Sequence, residues 1–466
     1  MLEPLGSLAA RQPVACRAGT SLKDALEAMR RNKVGSIVIT TAEGVPEGIF
    51  TERDLLRLAA SGGFDAAAPI ERFMTPDPFS LPASATAYDA ALVMARHGIR
   101  HVLVVERGAL KGVVSERALF SLQRRSMRHV IHAVELAHDL AGLKRAAAGI
   151  LEFGHGLLAQ GIAPEQLTRI IATLNDRLAE RIVALEAARR DLSALRWCWL
   201  ALGSEGRQEQ TFSTDQDNAI VFEVPAEQAE DEARARLLSF GRAVNETLDA
   251  CGFPLCPGNI MAGNPECCLS SRGWRERFSG WVRNPVPEAL LNASIFFDFR
   301  PIAGEFALAD GLRDWLQDLV KGDERFLKTL ALNALESEVP LGFFGNLVTG
   351  GEGIDAGTLD LKTQGTRVIT DAARIYALAC GVGATNTAAR LRGAEEALGM
   401  ANTEVEAIVE AFYHLLLLRL RTQLEGGRSP NRIAPGKLNE FDRRILKESL
   451  RQARRLQQRL ALDYRR

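Results

Sequence analysis

Asp215 and Asp217, one residue apart in STDQDNAIVFE, follow a turn of small residues at Gly203 and Ser204 in LALGSEGR. Apolar runs flank both features, so the turn reads as the exit from one strand and the acid pair as the lead into the next. Side chains at i and i+2 of an extended segment share a face, and the two carboxylates therefore converge. Converging carboxylates repel and raise one another's pKa unless a cation lies between them. Mg2+ takes oxygen ligands and prefers one or two carboxylates together with substrate phosphates. Backbone N–H groups after Gly203 and Ser204 suit a phosphate tail, with glycine allowing close approach. The stretch reads as a metal-triphosphate site with Asp215 and Asp217 as metal ligands.

Two-metal phosphoryl or nucleotidyl transfer calls for a third carboxylate. Asp298 is the candidate: in ASIFFDFRPIAGE it is a lone acid inside an apolar, aromatic run read as a strand. A buried charge is costly unless paired or metal-bound, and the competing reading pairs Asp298 with Arg300, its i+2 neighbour. Further on, LDLKTQGTRVITDAARIYAL places Lys362 and Arg367 where they can close over a triphosphate from a second domain. Asp371 and Arg374, three apart on a helix, are expected to pair with each other.

These residues must be held by a chain of 466 residues, long enough for two to four domains. With 47% hydrophobic and 25% charged residues it has ordinary globular composition, and a net charge of -1 gives no footprint for nucleic acid or an anionic membrane. The start, MLEPLGSLAA, reads as neither signal nor transit peptide, and FYHLLLLRLRTQL is broken by charge short of a membrane span, so a cytoplasmic location is expected. Seven cysteines, an odd number, fit reduced thiols.

The first 125 residues are one unit written twice. EGIFTERDLLR at Glu47 recurs 64 positions later as KGVVSERALFS at Lys111, and SLKDALEAMRRNKVGSIVIT matches TAYDAALVMARHGIRHVLVV. Each copy reads helix, strand, strand, helix, with Thr51 or Ser115 opening the last helix either as an N-cap or as a phosphate holder. The pair resembles a tandem cystathionine-beta-synthase (CBS) module. By that resemblance Thr51 and Ser115 contact phosphate and Asp54 binds the ribose of an adenine nucleotide such as AMP or ATP; Ala118 stands where the second Asp would be.

Residues 126–195 read as a helical connector, with Ile170, Leu174, Leu178, Ile182 and Leu185 along one face as a core or dimer seam. Beyond it, the order Gly-Ser, Asp-x-Asp, later Asp resembles the nucleotidyltransferase superfamily of DNA polymerase beta. GSEGRQEQTFSTDQD, FPLCPGNIMAGNP and the LDLKTQGTRVITDAARIYAL stretch are similar to the N-terminal domain of PII-protein uridylyltransferases and to the CBS-containing DUF294 family. The resemblance implies a multidomain α/β and α architecture: a tandem CBS (Bateman) module over 1–125, the connector over 126–195, a polymerase-beta-like domain with a mixed sheet over 196–310, and a C-terminal helical bundle over 311–466 for substrate binding.

It also implies that Asp215, Asp217 and Asp298 are catalytic metal ligands and that Gly203 and Ser204 form the phosphate turn. Arg207 is then set to neutralise the triphosphate, or to pair with Glu205 or Glu209. The implied activity is Mg2+-dependent transfer of a nucleoside monophosphate from a nucleoside triphosphate to an acceptor hydroxyl, uridylylation of a PII-like protein being the first guess, gated by adenine nucleotide at the CBS pair of a homodimer. The alternatives are transfer to a small molecule, and a nucleotide sensor without turnover.

Overall fold

The computed structural model describes residues 4–9, 12–60, 64–224, 229–343, 345–350, 355–426 and 429–464. They form two compact units, Met1–His129 and Val130–Arg466. Among the described residues, no helix is long and apolar enough to cross a membrane. The seven cysteines are free.

The sequence repeat is visible in the backbone of the first unit. One copy runs α1 (Leu22–Asn32), β1 (Ser36–Thr40), β2 (Pro46–Thr51) and α2 (Glu52–Ala60); the other runs α3 (Ala87–His97), β3 (His101–Glu106), β4 (Ala109–Ser115) and α4 (Glu116–Leu136). Each opening helix is capped by the hydroxyl before it: Ser21 accepts from the Asp24 N–H, and Thr86 forms a reciprocal capping box with Asp89. Both strand pairs are antiparallel, with Ser36 opposite Thr51 and His101 opposite Ser115, so the two hydroxyl residues occupy equivalent places at strand ends. The closing helices begin one residue after them, at Glu52 and Glu116. Each copy buries its own core, Leu22, Met29, Ile37 and Phe50 in the first and Ala90, Met94, Val102 and Val114 in the second.

The second unit is built on a mixed four-stranded sheet. Its strands are β5 (Arg196–Ala201), β6 (Asn218–Glu223), β7 (Cys268–Ser270) and β8 (Arg300–Gly304), in the order β7-β6-β5-β8. Only β7 and β6 are parallel. Both faces are covered, so the middle positions of β5 and β6 are apolar and alternate residues feed different cores. Trp199, Ala201, Ile220 and Phe222 face α5 (Leu140–Ala159), α6 (Pro164–Ala188) and α8 (Glu230–Ala250), the four-residue turn Gly203–Gly206 being α7. Leu174, Leu178 and Ile182 of the connector stripe are buried in that core, and Ile170 and Leu185 pack at its margin. From Val130 onward the connector is thus part of the second unit, its apolar stripe spent on the sheet.

Cys198, Leu200, Ala219 and Val221 face the other way, against α9 (Ser271–Arg283), α10 (Pro287–Phe296) and the C-terminal helices. Those are α11 (Phe306–Val320), α12 (Glu324–Ala334), α13 (Arg367–Cys380), α14 (Thr387–Gly393), α15 (Asn402–Leu424) and α16 (Glu440–Tyr464). Leu446, Leu450, Leu456 and Leu460 of α16 are fully or nearly fully buried, while its basic side stays exposed.

Candidate functional site

β5 ends at Ala201, opposite Asn218 at the start of β6, and the Leu202 N–H donates to the Asp217 carbonyl at 2.8 Å. The Gly203 turn and the acid pair therefore meet at one end of the sheet. Gly203 has φ +52, and a Cβ there would sit 2.9 Å from Asp217 Oδ2. Gly206 is more constrained still, since its Cβ would fall 1.8 Å from the Asp298 carbonyl oxygen. Within the turn, the N–H groups of Gly203, Ser204 and Glu205 find no acceptor among the described residues, whereas those of Gly206, Arg207 and Glu209 bond to Leu202, Gly203 and Ser204. Three free N–H groups in one turn form a concavity suited to an anion.

Asp215 and Asp217 lie in the extended lead-in to β6, and both are half-buried. The alternation D-Q-D-N is what aims them. Gln216 and Asn218 point the other way into a buried amide network: Asn245 Nδ2 donates to Gln216 Oε1 at 2.8 Å and to Asn218 Oδ1 at 2.9 Å. Gln216 Nε2 donates to the carbonyls of Asn245 and Phe253, and Asn218 Oδ1 also accepts the Ala262 N–H. Sequence reasoning read Asn218 only as a strand-edge hydrogen-bonder and passed over Asn245, because the bond spans 27 residues. Replacing Asn245 by Ala leaves two buried amides short of partners and should cost about 2–3 kcal/mol. Denaturant unfolding checks this, and an unchanged midpoint would mean the network does not hold the lead-in.

Electrostatics mark the acid pair. Burial, followed by the charge of Asp215, pushes Asp217 up to about 7, against the opposing pull of the Cys256 thiol, Lys362 and Arg207. The Cys256 Sγ lies 3.3 Å from Asp217 Oδ1 as a donor. Burial and then Asp176 push Glu205 up to about 8, with Arg300 pulling the other way.

Lys362 is exposed, and its charge acts on Asp217. It opens a π-helical turn, Lys362–Thr366, held by Asp360 Oδ1, which accepts the N–H groups of Lys362 and Thr363. Arg367 is committed instead to Asp371 at 3.3 Å, on the same helix as the expected Asp371–Arg374 pair at 2.6 Å.

Asp298 departs from the expectation. It lies in no strand: the run before it forms α10, with Pro287 at its first position and Ala289, Leu290, Ala293 and Phe296 buried. The carboxylate is fully buried and meets three guanidinium groups, Arg207 at 2.7 Å, Arg374 at 2.8 and 3.0 Å, and Arg390 at 2.6 Å. Burial alone would raise its pKa; Arg374, Arg390 and Arg207 outweigh that and hold it well below the carboxylate range. Three hydrogen bonds, from Arg207 and Arg374, and the Arg390 ion pair engage both oxygens, so Asp298 serves here as the shared counter-ion of three arginines. The alternative partner, Arg300, turns to Asp176 at 2.8 Å. Arg207 bridges Asp298 and Glu209 (2.8 Å), and Glu209 accepts the Thr387 N–H at 2.6 Å. These contacts fasten the Gly203 turn to α13 and α14. Among the described residues, no group of three or more His, Cys, Asp or Glu side chains is placed to hold a metal ion.

In the first unit, Thr51, Asp54 and Ser115 line one cavity of about 1120 Å3 together with Arg57, Arg100 and His101. Asp54 is buried; its Oδ2 accepts from the Thr51 N–H at 2.9 Å and hydroxyl at 2.8 Å, and its Oδ1 pairs with Arg57. The side chain at 118 lies outside the described residues.

Family models match in sequence order. Residues 5–61 and 70–125 each match the CBS domain, 150–288 match "Putative nucleotidyltransferase DUF294", and 324–464 match "Putative nucleotidyltransferase substrate binding domain". The "Uncharacterized 17.7 kDa protein in bps2 3'region" of Acidianus ambivalens is 28% identical over 120 residues, 26% of this chain and 72% of that protein. The "Uncharacterized protein MJ1404" of Methanocaldococcus jannaschii is 27% identical over 205 residues, 41% of each. Among solved structures, the CBS domain protein PAE2072 from Pyrobaculum aerophilum, complexed with AMP, is 30% identical, with a TM-score of 0.24 over 25% of this chain and 89% of that one. With two CBS copies followed by both transferase-family segments, the chain belongs to the CBS-domain-containing DUF294 nucleotidyltransferase family.

Proposed function

We propose that the second unit is a polymerase-beta-like nucleotidyltransferase that moves a nucleoside monophosphate from a nucleoside triphosphate to a hydroxyl. The observation that carries this reading is the meeting of Asp215 and Asp217 with the three free N–H groups of the Gly203 turn. Asp215 and Asp217 would hold Mg2+, a fit supported by the raised pKa of Asp217 beside a second carboxylate. When bound, the ion supplies charge neutralisation at the phosphates. The N–H groups of Gly203, Ser204 and Glu205 receive phosphate oxygens, and Lys362 adds positive charge from the C-terminal helices. In the reaction the acceptor oxygen bonds to the α-phosphorus and the bond from that phosphorus to the bridging oxygen breaks. Pyrophosphate leaves and the hydroxyl proton passes to water. Incubation with each α-labelled triphosphate and Mg2+ tests the reading: label moved to an acceptor supports it, and no transfer from any of them contradicts it.

A sensor without turnover is the second reading, and Asp298 favours it. A third carboxylate argues for chemistry, and this one is withdrawn into an arginine cage.

We further propose adenine nucleotide in the cavity of the CBS pair, with phosphate at Thr51 and Ser115 and ribose at Asp54. Asp54→Ala should weaken AMP binding by about tenfold or more in calorimetry. Unchanged affinity would leave Asp54 with only its capping bonds.

A further inference from the structure

The acid pair has a groove beside it that the phosphate chemistry does not use. It has a volume of about 480 Å3 and opens between the loop 258–267, α9 and α10. Its wall begins one residue from the site, for Ile260 lines it while the Ile260 carbonyl accepts the Asn218 N–H at 3.1 Å.

In-line displacement at phosphorus places the attacking and leaving oxygens on opposite sides. The leaving pyrophosphate belongs with the Gly203 turn, which follows β5. The acid pair enters β6, and in the order β7-β6-β5-β8 the groove loop leads into β7, on the side of β6 away from β5. The groove loop thus lies across the acid pair from β5, on the side an attacking hydroxyl would approach.

Its lining states a chemistry. Trp281 is half-buried, braced by Phe278 and Phe296 with ring centroids 5.4 Å away in each case, and offers a flat apolar surface. Among the described residues the side-chain amides of Asn284 and Asn292 make no hydrogen bond, and each supplies donor and acceptor together, as a hydroxyl does. Glu266 is paired with Arg277, whereas Glu288 is exposed and has no ion pair among the described residues, so the groove carries excess negative charge. That charge disfavours a phosphorylated acceptor. The volume falls within the range of small-molecule sites.

Resting on the transferase reading above, we propose that this groove is the acceptor subsite and that the acceptor is a small, neutral or cationic polyhydroxylated molecule, not a protein side chain. Gly280 supplies a clean test, because it lines the groove and a Cβ there meets nothing within 4 Å. The full chain is incubated with each α-labelled triphosphate, Mg2+, and either the small-molecule filtrate or the protein fraction of a lysate of its own cells. Label should appear with the filtrate, and Gly280→Leu and Asn292→Ala should each lower it by about tenfold or more. Both variants should keep the wild-type melting temperature and the wild-type calorimetric affinity for Mg2+-triphosphate. Label on protein alone, no label in either fraction, or filtrate label undiminished in both variants overturns the assignment. Wild-type chain that binds no Mg2+-triphosphate at all overturns the transferase reading itself and the groove with it.

Discussion

Asp298→Asn should unfold the second unit at temperatures the wild type withstands, with a loss of about 3–5 kcal/mol. Removing one member of a buried charge cluster strands the others, and here Arg207, Arg374 and Arg390 would face each other without their shared anion. The sign with pH follows from the lowered pKa of Asp298. Its contribution is fully present above the ordinary carboxylate value of 3.8 and drains as the pH falls toward the folded value. Wild type should therefore lose stability in that acid range, while Asp298→Asn should show a flatter acid limb. Thermal unfolding of both proteins from neutral to acid pH reads both effects. A variant that melts like wild type and loses only activity would restore Asp298 to the catalytic site.

Asp217→Asn should do the opposite, abolishing transfer by about a thousandfold while keeping the fold. Asn matches the shape of Asp and removes the repulsion from Asp215. A carboxylate raised to about 7 contributes stability that is present below its ordinary value and lost as the pH rises through about 7. The neutral variant lacks that loss, so its melting temperature relative to wild type should climb between acid and mildly alkaline pH. Transfer assays and melting curves on the same preparation separate the two readouts. Full activity in Asp217→Asn would remove the acid pair from the chemistry.

Much of the candidate site was legible because it is local. The turn at Gly203, the acids at 215 and 217 and the strands around them lie in one stretch, Arg196 to Glu223, and hairpin register alone brings them together. The repeat of the first unit was legible for the same reason, each copy carrying its own caps and core.

Asp298 was misread at two levels. The aromatic run ASIFF looks like a strand, but a short apolar run does not by itself distinguish a strand from a buried helix. Its partners also lie far along the chain, Arg374 being 76 residues away, so the sequence offered only a metal-ligand role or a pair with Arg300 two residues on. Arg367 was read for a phosphate, and the sequence reading passed over its i+4 neighbour Asp371, with which it pairs on the same helix. The bracing of the acid pair by Asn245 was hidden in the same way, since polar residues of α8 give no sign of which buried amide they serve.

The most direct measurement is calorimetric titration of the full chain with non-hydrolysable nucleoside triphosphates, with Mg2+ and with chelator, in wild type and Asp217→Asn. The account predicts binding to wild type that depends on Mg2+ and is lost in the variant. Equal binding with chelator, or equal binding by Asp217→Asn, would contradict the assignment of the acid pair and the Gly203 turn as a metal-triphosphate site.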